Sequence, residues 1–203
     1  MTRRGLLATG AVLLGAACSN PLTQPYPEKR LFLLEARRPG GAQPARRGRI
    51  VLVREVQAVP GTESRSLQTR LPGGEGRSDF WNEFFAPPAA MVDDALRRWL
   101  AESGAASAVL APGSRARADI AVEPTLTALF ADATTPGAPR ARVGLSALFL
   151  GLDRDPPRIL GQVSIEETAP LASLDPAVVA AGLNTALAGA LGQMEAALRR
   201  FSS

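Results

Sequence analysis

The sequence predicts an α+β fold: a mainly antiparallel sheet with two helices packed on one face. Three observations carry that expectation. Residues 118–130, 139–150 and 158–167 alternate apolar and polar with period two and are joined by the short turns TTPGAP and DRDPP, as expected of antiparallel strands covered on one side. A run beginning at Pro87 repeats apolar side chains at helical spacing, and so does the segment that follows Asp175.

Taken in order, residues 1–17 read as a leader rather than as part of the fold. Arg3 and Arg4 precede an apolar run, Leu6 to Leu14, and the small residues Gly15, Ala16 and Ala17 lead to Cys18. The apolar stretch is about 12 residues, short of the ~20 needed to span a bilayer, and its layout is that of an export signal. Residues 19–30 carry three prolines and little apolar pattern. They read as a tether reaching about 35 Å when semi-extended. A single domain over 31–203 follows.

Leu31 to Leu34 and the β-branched run Ile50 to Val56 suit buried strands, with a Gly/Pro/Arg loop over 36–48 between them. Leu67 to Leu71 is a third short strand, and LPGGEG a hairpin turn into DFWNEFF. Pro87 and Pro88 open a helix at positions where a missing N–H costs nothing. Met91, Val92, Ala95, Leu96, Trp99 and Leu100 share one face of it; Asp93, Asp94, Arg97 and Arg98 take the other, and Gly104 caps the end.

In the alternating strands the inward sets are Ile120, Val122, Leu126, Ala128 and Phe130; then Val143, Leu145, Ala147 and Phe149; then Ile159, Val163 and Ile165. Asp175 and Pro176 form an N-cap and first-turn pair for the last helix. Its apolar stripe runs Val179, Leu183, Leu187, Leu191, Met194, Leu198 and Phe201, with alanines and Gly189 keeping it slim.

Composition removes several classes of function. Apolar residues make up 46% and charged residues 21% of 203, a globular balance. The pI is near 10.4, but the net charge of +4 falls to about +2 without Arg3 and Arg4, too little to attract nucleic acid. Histidine is absent and Cys18 is the lone cysteine. No intrachain disulfide, Ser-His-Asp triad or typical zinc site can therefore be built. Glu166 and Glu167 are adjacent in a strand and face opposite sides, so they are not an acid/base pair. PGGEG lacks the GK[ST] of a phosphate loop. The reading is non-enzymatic, with no metal and no cofactor.

Ala16, Ala17 and Cys18 resemble the lipobox of bacterial lipoprotein precursors. The resemblance implies acylation of Cys18 and, with Ser19 after it, sorting to the periplasmic face of the outer membrane of a Gram-negative bacterium. Residues 67–104 resemble the ABC-type transport auxiliary lipoproteins of the paraquat-inducible protein C type, through Arg70, Trp81, Pro87, Pro88, Met91, Leu96, Leu100, Ser103 and Gly104. That likeness implies an auxiliary subunit of an MCE-type lipid transporter. Its partners would be an MCE-domain protein with its ABC permease and ATPase, its cargo phospholipid or another hydrophobic molecule; self-association is left open. The alternative is an assembly lipoprotein of the lipopolysaccharide-assembly type that partners an outer-membrane β-barrel. Phe80, Trp81, Phe84 and Phe85 are the candidate partner- or lipid-binding residues. Four aromatics within six positions cannot all point inward from one strand.

Overall fold

The structure, a computed structural model, describes residues 28–44 and 48–202. Cys18, the leader over 1–17 and most of the tether lie outside the described residues. The chain runs β1 (Arg30–Phe32), β2 (Ile50–Val53), β3 (Gln57–Ala58), β4 (Ser66–Arg70), β5 (Gly76–Phe84), α1 (Pro88–Glu102), β6 (Ala108–Leu110), β7 (Ile120–Asp132), β8 (Arg140–Gly151), β9 (Arg158–Pro170) and α2 (Pro176–Phe201). The α+β class is as the sequence predicts.

The sheet is mixed, which corrects the mainly antiparallel expectation. β7 is its spine. Along one edge it pairs antiparallel with β8, which in turn pairs antiparallel with β9. Along the other edge it meets β2, β3 and β4 in succession, all parallel. β6 adds to β2 in parallel, β5 returns antiparallel beside β4, and β1 lies parallel to β5 at the rim. Parallel neighbours require a crossover, and α1 supplies one between the β4–β5 hairpin and β6. Period-two patterning shows which side of a strand is covered, not which way its neighbour runs.

Both helices bury their apolar stripes in one cluster with the inward residues of β7 and β8, and therefore lie on the same face. In α2, Leu187, Leu191, Met194 and Leu198 are fully buried, and the Asp175 carboxylate accepts from the Ala177 N–H at 2.9 Å to start the helix. In α1, Val92, Leu96 and Leu100 are buried to the same degree.

Four residues depart from their expected faces. The β7–β8 register shifts between Leu126 and Ala128. Beyond that bulge Leu129 and Ala131 join the core cluster, while Ala128 and Phe130 turn to the opposite side. A second shift, at Leu160, places Ile159 outward at 68% exposure and lets Leu160 pack against the core instead. Asp93, expected on the wet face of α1, is buried and paired with Arg97. Loss of hydration raises its carboxyl above the usual range, with Arg97 acting in the other direction.

Candidate functional site

The four candidate aromatics separate because β5 bulges. Ser66 of β4 pairs Glu83, yet Gln68 pairs Ser78, so residues 79–82 of β5 stand opposite the single residue Leu67. Asp79 holds the bulge. Its Oδ1 accepts from the N–H groups of Trp81 at 2.9 Å and Asn82 at 3.1 Å, and its Oδ2 from the Asn82 side chain at 2.9 Å. Phe80 projects from the bulge at 61% exposure, with Trp81 edge-on to it at 5.0 Å between ring centroids.

Past the bulge, Phe84 and Phe85 point to opposite sides. Phe84 is 1% exposed within the core and leaves the set of candidate binding residues, a correction imposed by strand alternation. Phe85 is 61% exposed.

β1 completes this surface, a contribution not foreseen for Leu31 and Leu33. Phe32 pairs Phe84, and the Phe85 N–H donates to the Phe32 carbonyl at 2.8 Å. Phe32 packs on the core, so its neighbours Leu31 and Leu33 face away with Phe85, each about half exposed. Lys29 lies on the same side. Its Nζ is 2.5 Å from Glu83 Oε1 and 4.3 Å from the centre of the Phe80 ring. Leu31, Leu33, Phe80 and Phe85 are four of the five large apolar side chains exposed among the described residues. Their sequence signal was slight: LFLL reads as a buried strand, and only its position at the sheet rim exposes alternate members.

A second concavity, of about 680 Å³, opens on the helix-free face and is lined by Leu52, Arg54, Gln57, Glu123, Leu148 and Gln162 among others. An Arg54–Glu123 ion pair at 3.3 Å crosses it. Beside it the register aligns Leu110, Leu52, Ala121, Leu150 and Ile159 in one apolar row across five strands. The groove holds a solvated ion pair and a mixed lining that includes the hydroxyl residues Thr125 and Ser146. Among the described residues no group of His, Cys, Asp or Glu gathers at metal-binding spacing.

Glu195 of α2 is an ionic hub that the sequence did not signal. It accepts from Arg38 Nε at 2.9 Å, from Trp99 Nε1 at 2.9 Å and from Arg199 Nη2 at 2.9 Å. Burial alone would raise its carboxyl, but the hydrogen bonds from Arg38, Arg199 and Trp99 outweigh it and hold the group below its usual range. Arg199 also donates to the Ser103 carbonyl at 2.6 Å. Every polar group here has a partner inside the fold, so the cluster is a tie between elements. Glu166 and Glu167 likewise diverge: Glu166 meets Arg142 at 3.3 Å, and Glu167 accepts from Gln193.

The residues that carried the family resemblance have local tasks. Arg70 stacks on Phe130 with 3.9 Å between guanidinium and ring centre. Pro88 opens α1, and Ser103 Oγ donates to the Leu100 carbonyl at 2.7 Å. Gly104 has φ +65°, and a Cβ on it would lie 2.7 Å from the Pro44 carbonyl.

No family model matches the sequence, and no curated protein matches it. Solved structures share the fold. The chain is similar to protein XCC0632 from Xanthomonas campestris, described under the family model DUF330, with a TM-score of 0.69 and 21% identity over 86% of this chain and 93% of that one. An uncharacterized protein aligns with a TM-score of 0.61 and 11% identity, over 85% of this chain and 97% of its own. The hypothetical protein CT253 from Chlamydia trachomatis aligns at 0.53 and 10%, over 75% and 96%. These likenesses establish the fold. They also correct the family resemblance: the neighbours are described by DUF330 or by no function, and none of these three by the ABC-type transport auxiliary description suggested by 67–104.

Proposed function

We propose that this protein is a lipid-anchored, non-catalytic binding lipoprotein on the periplasmic side of the outer membrane, acting through the apolar β1/β5 edge. The observation that carries the reading is the clustering of Leu31, Leu33, Phe80 and Phe85 at one rim of the sheet, where the two leucines are nearly half exposed and the two phenylalanines more than half. Contiguous apolar surface of this kind marks a site of association, and aromatic side chains suit it because each buries a large area for little lost rotamer freedom. The anchoring part of the proposal is supported by the Arg3–Cys18 segment, whose order of charge, apolar run and small residues suits export and acylation. Envelope lipid transport is the service proposed, with an MCE-domain protein as the partner to test first.

Co-purification from detergent-solubilised membranes tests the reading. Retention of phospholipid or of an MCE-domain protein, lost on Phe80→Ser/Phe85→Ser while the thermal transition is unchanged, is the expected result. Retention of neither would refute the binding role, and capture of an outer-membrane β-barrel instead would replace the transport assignment.

A further inference from the structure

We propose that the β1/β5 edge is a membrane-contact face, on which Leu31, Leu33, Phe80 and Phe85 enter the headgroup region of the leaflet that holds Cys18. The proposal rests on the anchored reading above and names the ligand of that same surface, the phospholipid of the bilayer itself.

The first argument is where the chain enters the fold. Described structure begins at Glu28, and β1 starts two residues later, within the patch. Residues 19–30 separate Cys18 from Leu31 and span at most about 40 Å even when fully extended. An acylated Cys18 therefore keeps this rim, more than any other part of the domain, at high effective concentration near the lipid.

The second argument is the chemistry of the patch. Its apolar side chains stand beside a long cationic one: the Lys29 ammonium lies over the Phe80 ring at 4.3 Å. Apolar groups flanked by a side chain with an apolar stem and a charged tip match the boundary between acyl chains and water. The third argument is the side on which the patch lies. Phe32 and Phe84 point into the core cluster that both helices share, so the helices lie on the opposite face and the rim can approach a bilayer without displacing either.

Trp81 is a built-in probe, 5.0 Å from the Phe80 ring. The mature lipoprotein is reconstituted into vesicles of phosphatidylethanolamine and phosphatidylglycerol carrying brominated acyl chains. Tryptophan quenching is measured alongside vesicle flotation and the mass of the Cys18 peptide. We expect quenching in the native protein, its disappearance in Trp81→Phe, which leaves only the buried Trp99, and its loss in Leu33→Ser/Phe85→Ser with flotation and acylation intact. An acylated, floating protein without quenching would overturn the membrane-contact face and leave the anchor standing. Quenching by an unacylated chain would support the face and refute the anchor; an unacylated chain that neither floats nor quenches refutes both. Protection of the rim by a bound protein in place of lipid would also overturn the proposal.

Discussion

Phe84 and Phe85 are neighbours in the chain with opposite surroundings, 1% against 61% exposed. Replacing Phe84 by alanine leaves a cavity among Phe32 and the core residues around it and should cost about 3–5 kcal/mol in urea unfolding. Phe85→Ala removes no core contact and should stay within about 0.5 kcal/mol of the parent, while weakening association with lipid or partner. Equal destabilisation by both would show that Phe85 packs inward and that the proposed edge does not exist. Gly144 sets a second test at this scale. It pairs Ala128 beside the β7 bulge, and a Cβ on it would lie 2.5 Å from Thr127 Oγ1 and 3.1 Å from the Ala128 amide nitrogen. Backbone cannot yield cheaply, so Gly144→Ala should destabilise by about 1–3 kcal/mol. A neutral result would mean that the bulge relaxes freely.

Among elements, Glu195 joins what the chain order keeps apart. Arg38 follows β1, Trp99 belongs to α1, and Arg199 stands one turn further along α2. The carboxyl is held below its usual range in the folded protein. A depressed folded-state value means that unfolding takes up a proton as the medium is acidified. The stabilisation is therefore complete above the ordinary glutamate range and is lost as pH falls through the lowered value. Glu195→Gln should cost about 1–3 kcal/mol at neutral pH, as expected for hydrogen bonds to a charged group. The difference from the parent should shrink in chemical denaturation repeated at acidic pH. A constant difference at every pH would assign the loss to packing rather than charge.

For the whole molecule, anchor and fold are separable if the described domain is complete without the leader. Among the described residues its core cluster draws on Leu34 through Leu198, with Phe32 of β1 packed against it. Cys18→Ser should therefore leave the thermal transition of the domain unchanged and release it from the membrane fraction, abolishing complementation of a deletion strain. A soluble, unfolded variant, or one that complements fully, would show that anchor and fold are coupled or that the anchor is dispensable. The length and apolarity of α2 would allow it to cross a membrane. Its stripe is instead buried against β8 and β9, which makes it the cover of the sheet.

The sequence alone determined the α+β class, the extents of both helices to within a residue or two, and the inward set of β8, where Val143, Leu145, Ala147 and Phe149 all lie in the core. Those features are local: a helical stripe or an alternating strand repeats its instruction every two to four residues, and each repeat confirms the last. Tertiary structure decided the rest. Parallel pairing of β2, β3 and β4 with β7 depends on the crossover through α1. β6, three residues long, is a strand through its partner β2 rather than its own pattern. Phe130 and Ile159 changed sides because one extra residue in a strand reverses the alternation between the segments on its two sides. Whether that residue is accommodated is settled by the facing strand, as Gly144 does opposite Ala128. The candidate surface follows the same rule. Four aromatics within six positions announced an excess, but which of them faces solvent was fixed by a bulge held by Asp79 and by β1, arriving from some fifty residues upstream to pair along the rim. Contacts between residues so far apart leave no periodic trace in either segment, because each is specified by the shape of the other.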